Sequence, residues 1–178
     1  LDLLGGNLQS DVNEIIKYHK TNGGLSRYVK IKYFFDSILK VELRNNNFKQ
    51  YLSEYSAYMK VRLIDNNLLI NQTIEFIKKS NKKNMFLVSA SDQEELIFLT
   101  KKLSINNFFK EIKGSPTSKH ENIKNLILKF GIDKTDTVLI GDSINDFEAA
   151  KKNGIKFIGF NNTELNKKNI NYLEKFDI

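Results

Sequence analysis

Residues 137–160 read TVLIGDSINDFEAAKKNGIKFIGF, and the rest of the chain is organised around them. Val138, Leu139 and Ile140 form a short apolar run of the kind a buried parallel strand shows. Gly141 ends the run and permits a tight turn. Asp142, Asn145 and Asp146 follow, where the strand's carboxyl end meets a helix N-terminus. Asn153-Gly154 has the form of a helix C-cap, and Ile155 to Phe160 reads as the next strand. In open α/β sheets, ligands bind outside the carboxyl ends of the strands. Asp142 and Asp146 therefore point to a hard-metal or acid/base site. The plainer reading is that Asp142 or Ser143 caps the helix and Asp146 suits its dipole. Capping explains one acid well and the pair less well.

Upstream, the rhythm is alternating. Ile70, Ile74 and Ile77 belong to a helix, and Met85 to Val88 to a short strand ending at Ser89. Ser91 with Glu94 forms a capping-box pattern that opens a helix through Leu103, and Phe108 to Ile112 reads as a strand. Ser118 with Glu121 repeats the box, for a helix that stops at Gly131. Thr163 opens a last amphipathic helix reaching Leu173. Strands alternating with helices imply a parallel sheet with right-handed crossovers.

The first 66 residues instead read as helices. Ser10 caps one carrying Val12, Ile15, Ile16 and His19, and residues 21–24 break it. Ser26 caps a second, lined by Tyr28, Ile31, Phe34, Phe35, Ile38 and Leu39. Asn45-Asn46-Asn47 is a turn before a third, with Phe48, Leu52, Tyr55, Met59 and Leu63 on one side. The expected division is a helical unit over 1–66 and an α/β unit over 67–178.

Composition narrows the function classes. Of 178 residues 40% are hydrophobic, which excludes a disordered chain, and no cysteine is available for a disulfide or a thiolate site. No apolar run approaches the roughly 18 residues of a membrane span. The expectation is a soluble cytoplasmic protein without a membrane partner. A net charge of +7 invites nucleic acid, but the only arginines are Arg27, Arg44 and Arg62, and the lysines are scattered. No nucleic-acid partner is expected. A field that favours an anionic small molecule accounts for the charge.

Three points converge on one edge of the α/β unit. The hydroxyl of Ser89 and the amide of Ala90 sit at the end of a strand. Lys119 opens a helix after Gly114-Ser115-Pro116, a place where the dipole disfavours a cation. Asp142 and Asp146 supply the negative pole. Hydroxyl, ammonium and paired carboxylates are what phosphoryl transfer asks for: donors for phosphate oxygens and oxygen ligands for Mg²⁺.

These residues resemble the haloacid dehalogenase superfamily of phosphatases and phosphomutases. GDSINDFEAAKKNGI, residues 141–155, is similar to its metal-binding motif, with Asp142 and Asp146 at the acidic positions. Ser89 matches the hydroxyl residue of its second motif and Lys119 its phosphate-binding lysine. The resemblance implies a Rossmann-like parallel core with Mg²⁺ as cofactor and an N-terminal helical cap, as in the β-phosphoglucomutase and phosphoglycolate phosphatase branch. It also implies that Gly23-Gly24-Leu25-Ser26-Arg27 is the cap loop that contacts substrate, with Arg27 reaching the substrate's distal group.

One element of the pattern is missing. Superfamily members open with an apolar strand ending in Asp-x-Asp-Gly, whose first Asp is the nucleophile, whereas Asp2 here precedes Leu3, Leu4, Gly5 and Gly6. The expected function is a Mg²⁺-dependent phosphatase for a small phosphorylated metabolite such as a sugar phosphate. Its aspartyl-phosphate would form on a nucleophile outside this segment. The alternative is a non-catalytic binding or scaffold protein of the same fold. A signalling receiver domain also uses acids and a lysine at strand ends, but leaves the helical first part unexplained.

Overall fold

The computed structural model describes residues 8–80, 85–168 and 170–176; Asp2 and its neighbours lie outside them. Helix α1 (Leu8–Thr21) already encloses Ser10, so that serine is not its cap. Helix α2 (Arg27–Tyr33) does start at its expected cap, Ser26, whose hydroxyl accepts from the Val29 amide. The turns widen to π geometry over Phe34–Leu39, and Lys40 closes them at φ 54°. Helix α3 (Asn45–Arg62) begins on the asparagines read as a turn. Asparagine weakly disfavours a helix interior, but is tolerated in a first turn. Rings join these helices: Tyr18 stacks on Tyr33 at 3.7 Å and Phe35 on Tyr51 at 5.3 Å. No residue of α2, the π segment or α3 is fully buried.

After α4 (Asn71–Lys79) the chain alternates: β1 (Phe86–Asp92), α5 (Gln93–Lys102), β2 (Glu111–Ser115), α6 (Lys119–Phe130), β3 (Val138–Gly141), α7 (Ile144–Asn153), β4 (Lys156–Phe160), α8 (Thr163–Asn166) and β5 (Tyr172–Leu173). Every strand pair is parallel. Among the described residues the ladders form two sheets, β1-β2 and β3-β4-β5. One helix layer covers both. Ile123 and Ile127 of α6 and Ala149 of α7 pack on Val88 from β1 and Leu139 from β3. Leu139 also joins a second cluster with Ala150, Phe157 and Leu165. The Asn153 side chain locks the two helices by donating to the carbonyls of His120 and Ala149.

Several boundaries differ from expectation. β1 runs past Ser89 to Asp92, and its register slips so that residues 89–91 lie opposite Gly114 alone. The gap in the ladder is filled by Gln93, which donates to the Ile112 carbonyl and accepts from the Gly114 amide. Asp92, not Ser91, caps α5, accepting from the amides of Glu94 and Glu95. Phe108 belongs to a 3-10 turn and the strand starts at Glu111. α8 is capped by Asn162 rather than Thr163 and stops at Asn166, and Tyr172 then pairs with Gly159. Both expected glycine stops hold: Gly131 and Gly154 end α6 and α7 with φ 58° and 68°. No described helix is long and apolar enough to cross a membrane.

Candidate phosphate and metal site

The turn after β3 folds around one carboxylate. Asp146 sits three residues into α7 and is only 3% exposed. Its Oδ2 accepts from the amides of Asp142 and Ser143 and from the Ser143 hydroxyl, at 3.2, 3.1 and 2.9 Å. The Ser143 hydroxyl in turn accepts from the Asp146 amide, which completes a capping box. Gly141 is required by this arrangement. A Cβ there would lie 2.5 Å from Asp146 Oδ2 and 2.7 Å from its Cγ. The plain capping role is thus real, and it leaves Oδ1 free for another partner.

That partner is Lys119. Its ammonium meets Asp146 Oδ1 in an ion pair whose side chains are 15% and 4% exposed. The pair explains how a lysine is tolerated at the first position of α6, where Ser118 and Glu121 form their own capping box. Asp142 behaves differently. Its carboxylate is exposed and makes no hydrogen bond or ion pair among the described residues, while its carbonyl accepts from Asn162 at 2.7 Å. One acid of the pair is therefore structural and the other is open.

Ser89 and Ala90 lie on the slipped part of β1. The Ser89 hydroxyl accepts from the Ser91 amide at 3.1 Å, and the Ala90 carbonyl accepts from Ser115 Oγ at 3.0 Å. Ser115 precedes Lys119 by one turn of chain, so these contacts bring Ala90, Lys119 and Asp146 to the same carboxyl edge. No hydrogen bond joins Ser89 to Lys119, Asp142 or Asp146 among the described residues.

A loop from the helical part roofs this edge. Asn145 donates to the Gly23 carbonyl at 2.5 Å. Gly24, at φ 83°, lies so close to the turn that a Cβ would run into Ser143 Oγ and stand 3.2 Å from Asn145 Cβ. Four residues on, Tyr28 donates to Asp92 Oδ2 at 2.7 Å. Arg27 does not point a free guanidinium at the edge. It is held by Glu95 through two bonds of 2.6 and 2.5 Å, and it donates to Ser56 and lies over the Tyr55 ring. Gly24→Ala is expected to destabilise the protein by about 1–3 kcal/mol through overpacking and a strained φ. Chemical denaturation measures it, and an unchanged midpoint would show the roof is not seated on Ser143.

The Tyr28–Asp92 bond gives the roof a pH signature. Burial, then the hydrogen bond to Asp92, pushes the Tyr28 hydroxyl from 10.0 up to about 12. Burial alone would raise Asp92. The Tyr28 hydroxyl, the Glu95 and Glu94 amides and Arg27 outweigh it, and hold that carboxyl below its ordinary value. The folded state keeps the Tyr28 proton more tightly, so this contribution is complete below pH 10 and is lost as pH rises toward 12. The Asp92 contribution is present above about pH 4 and is lost as pH falls through its lowered folded value. Melting temperature is expected to fall more steeply between pH 10 and 12 in the wild type than in Tyr28→Phe. Parallel curves would rule the bond out as a stabilising tie.

Of the residues that matter here, Glu95, Tyr28, Asp92 and Ser143 escaped assignment to the site from sequence. Ser143 carries a local signal in its spacing to Asp146, and Asp92 one in its spacing to Glu95.

The chain belongs to the haloacid dehalogenase-like hydrolases, whose pattern it matches over residues 12–160. It is 26% identical over 138 residues to a candidate phosphatase of Mycoplasma genitalium, covering 71% of this chain. The chain spans about half the length of that curated relative, 50%. Its fold resembles a candidate phosphoglycolate phosphatase from Haemophilus somnus, with a TM-score of 0.62 and 21% identity over 85% of this chain and 75% of that one. A candidate beta-phosphoglucomutase from Thermotoga maritima is similar at a TM-score of 0.55 and 18% identity, covering 89% and 78%. The α/β fold with parallel sheets is thus shared with these structures.

Proposed function

We propose that these residues form the phosphate- and metal-binding part of a Mg²⁺-dependent phosphatase for a small phosphorylated metabolite, with sugar phosphates among the candidates. Residues 1–66 act as its cap and 67–178 as its core. The observation that carries the reading is the Lys119–Asp146 ion pair beside the open carboxylate of Asp142. A buried carboxylate holds the cation at the edge, ready to neutralise phosphate oxygens, and an exposed one is left for a hard metal. The donor set fits Mg²⁺, which takes one or two carboxylates and completes its shell with water and phosphate oxygens. Asp142 would hold it and Asp146 would orient Lys119 and the turn. When bound, Mg²⁺ would supply charge neutralisation at the phosphoryl group. Ser89 and the Ala90 amide would donate to the same group. The described carboxylates at this edge do not supply a nucleophile: Asp146 and Asp92 are engaged, and Asp142 is assigned to the metal. The attacking Asp is proposed to lie outside this segment.

The test is phosphate release from a panel of small phosphate monoesters by the full-length protein that contains these residues. Release should require Mg²⁺, and Lys119→Ala should lower it about a hundredfold or more. Absence of Mg²⁺-dependent release across the panel would sink the reading. A second reading, ligand binding without turnover, draws on the engagement of Asp146 by Lys119 and of Asp92 by Tyr28. Phosphate binding with no release would select it.

A further inference from the structure

The roof loop over residues 23–28 carries one charged side chain, Arg27, and that side chain is already engaged. Glu95 fills its fork from both sides, at 2.6 and 2.5 Å, with the two side chains 9% and 1% exposed. Ser56 Oγ takes a further Nη1 bond at 2.7 Å, and the Tyr55 ring covers one face at 4.5 Å. Asp92 stands alongside, held by Tyr28. Counting Arg27 as positive and Glu95 and Asp92 as negative, this side of the edge carries net negative charge.

We infer that Glu95 is a specificity-determining residue: it withholds Arg27 from the substrate, so the preferred substrate carries its transferring phosphate and no second anionic group. This rests on the phosphatase reading above. A second phosphate arriving under the roof would have to take the fork from Glu95. That would leave a fully buried carboxylate without a counter-charge, beside a second carboxylate at Asp92. An uncharged, hydroxylated remote end meets no such obstacle. Glu95 acts through Arg27 and is a positioning residue, not a catalytic one.

The test compares a hexose monophosphate with the matching hexose bisphosphate, using the full-length protein. Wild type should favour the monophosphate in kcat/KM by about tenfold or more. Glu95→Gln, which keeps the shape and removes the charge, should shrink that preference at least about tenfold through KM for the bisphosphate. Arg27→Gln should leave the preference in place. Equal use of both esters by wild type, an unchanged ratio in Glu95→Gln, or a selective loss of bisphosphate use in Arg27→Gln would each overturn the inference. If Glu95→Gln does not fold, the wild-type and Arg27→Gln ratios decide. If neither ester is hydrolysed, the same pair is compared by calorimetric binding, and the monoester panel decides the phosphatase reading separately. Tighter monophosphate binding upholds the specificity. Equal binding, tighter bisphosphate binding or none overturns it.

Discussion

Asp146→Ala is expected to lower the free energy of unfolding by about 3–5 kcal/mol, the usual result of removing one partner of a buried ion pair. The loss has three sources in one side chain. Lys119 keeps its charge at a helix start, where the dipole already disfavours it. The amides of Asp142 and Ser143 lose their acceptor, and the capping box of α7 opens. Asp146→Asn separates these sources, because the amide oxygen can still accept from the turn while the charge is gone. It should recover part of the stability and none of the hold on Lys119. Urea denaturation measures the first, and phosphate binding by calorimetry measures the second. An Asp146→Ala protein as stable as wild type would mean that the turn is held by its backbone alone.

The second large effect concerns the tie between Arg27 and Glu95. Removing either partner alone strands the other in a buried place, at a cost of about 3–5 kcal/mol. The double substitution Arg27→Ala with Glu95→Ala leaves no stranded charge. It should therefore cost at least about 1–2 kcal/mol less than the sum of the singles, since contacting residues couple. Arg27→Ala also gives up its packing on Tyr55 and its bond to Ser56, so the two singles need not be equal. The measurement is a double-mutant cycle on equilibrium unfolding. Additive singles would show that the pair contributes nothing beyond its separate contacts.

How much of this could be read from the sequence follows from how local each cause is. The turn at 137–160 was legible because strand, turn, cap and stop are neighbours in the chain, each with its own composition rule. The box at Ser118 and Glu121 was legible for the same reason. The sequence understates β1 because Ser89-Ala90-Ser91-Asp92 lacks strand formers; Gln93, bridging to Ile112 and Gly114, extends it in space. The sequence overstates the last helix because the apolar spacing past Asn166 serves pairing with β4 instead. Arg27 stands out in the sequence as one of three arginines, but its partner lies 68 positions away on a helix whose acids look solvated in sequence. A buried Glu95 has no local signature. Tyr28 and Asp92, 64 positions apart, were hidden in the same way.

The side chain of Asn153 lies at the last residue of α7, and its amide grips both that helix and His120, the neighbour of Lys119 on α6. Those two helices are what the strand bearing Ser89 and the strand that leads into Asp142 have in common. The span between the hydroxyl corner and the acid corner is therefore gauged by helix-to-helix spacing, with one carboxamide as its stop. A natural variant at position 153 could retune the reach of the site while every residue in it stayed the same.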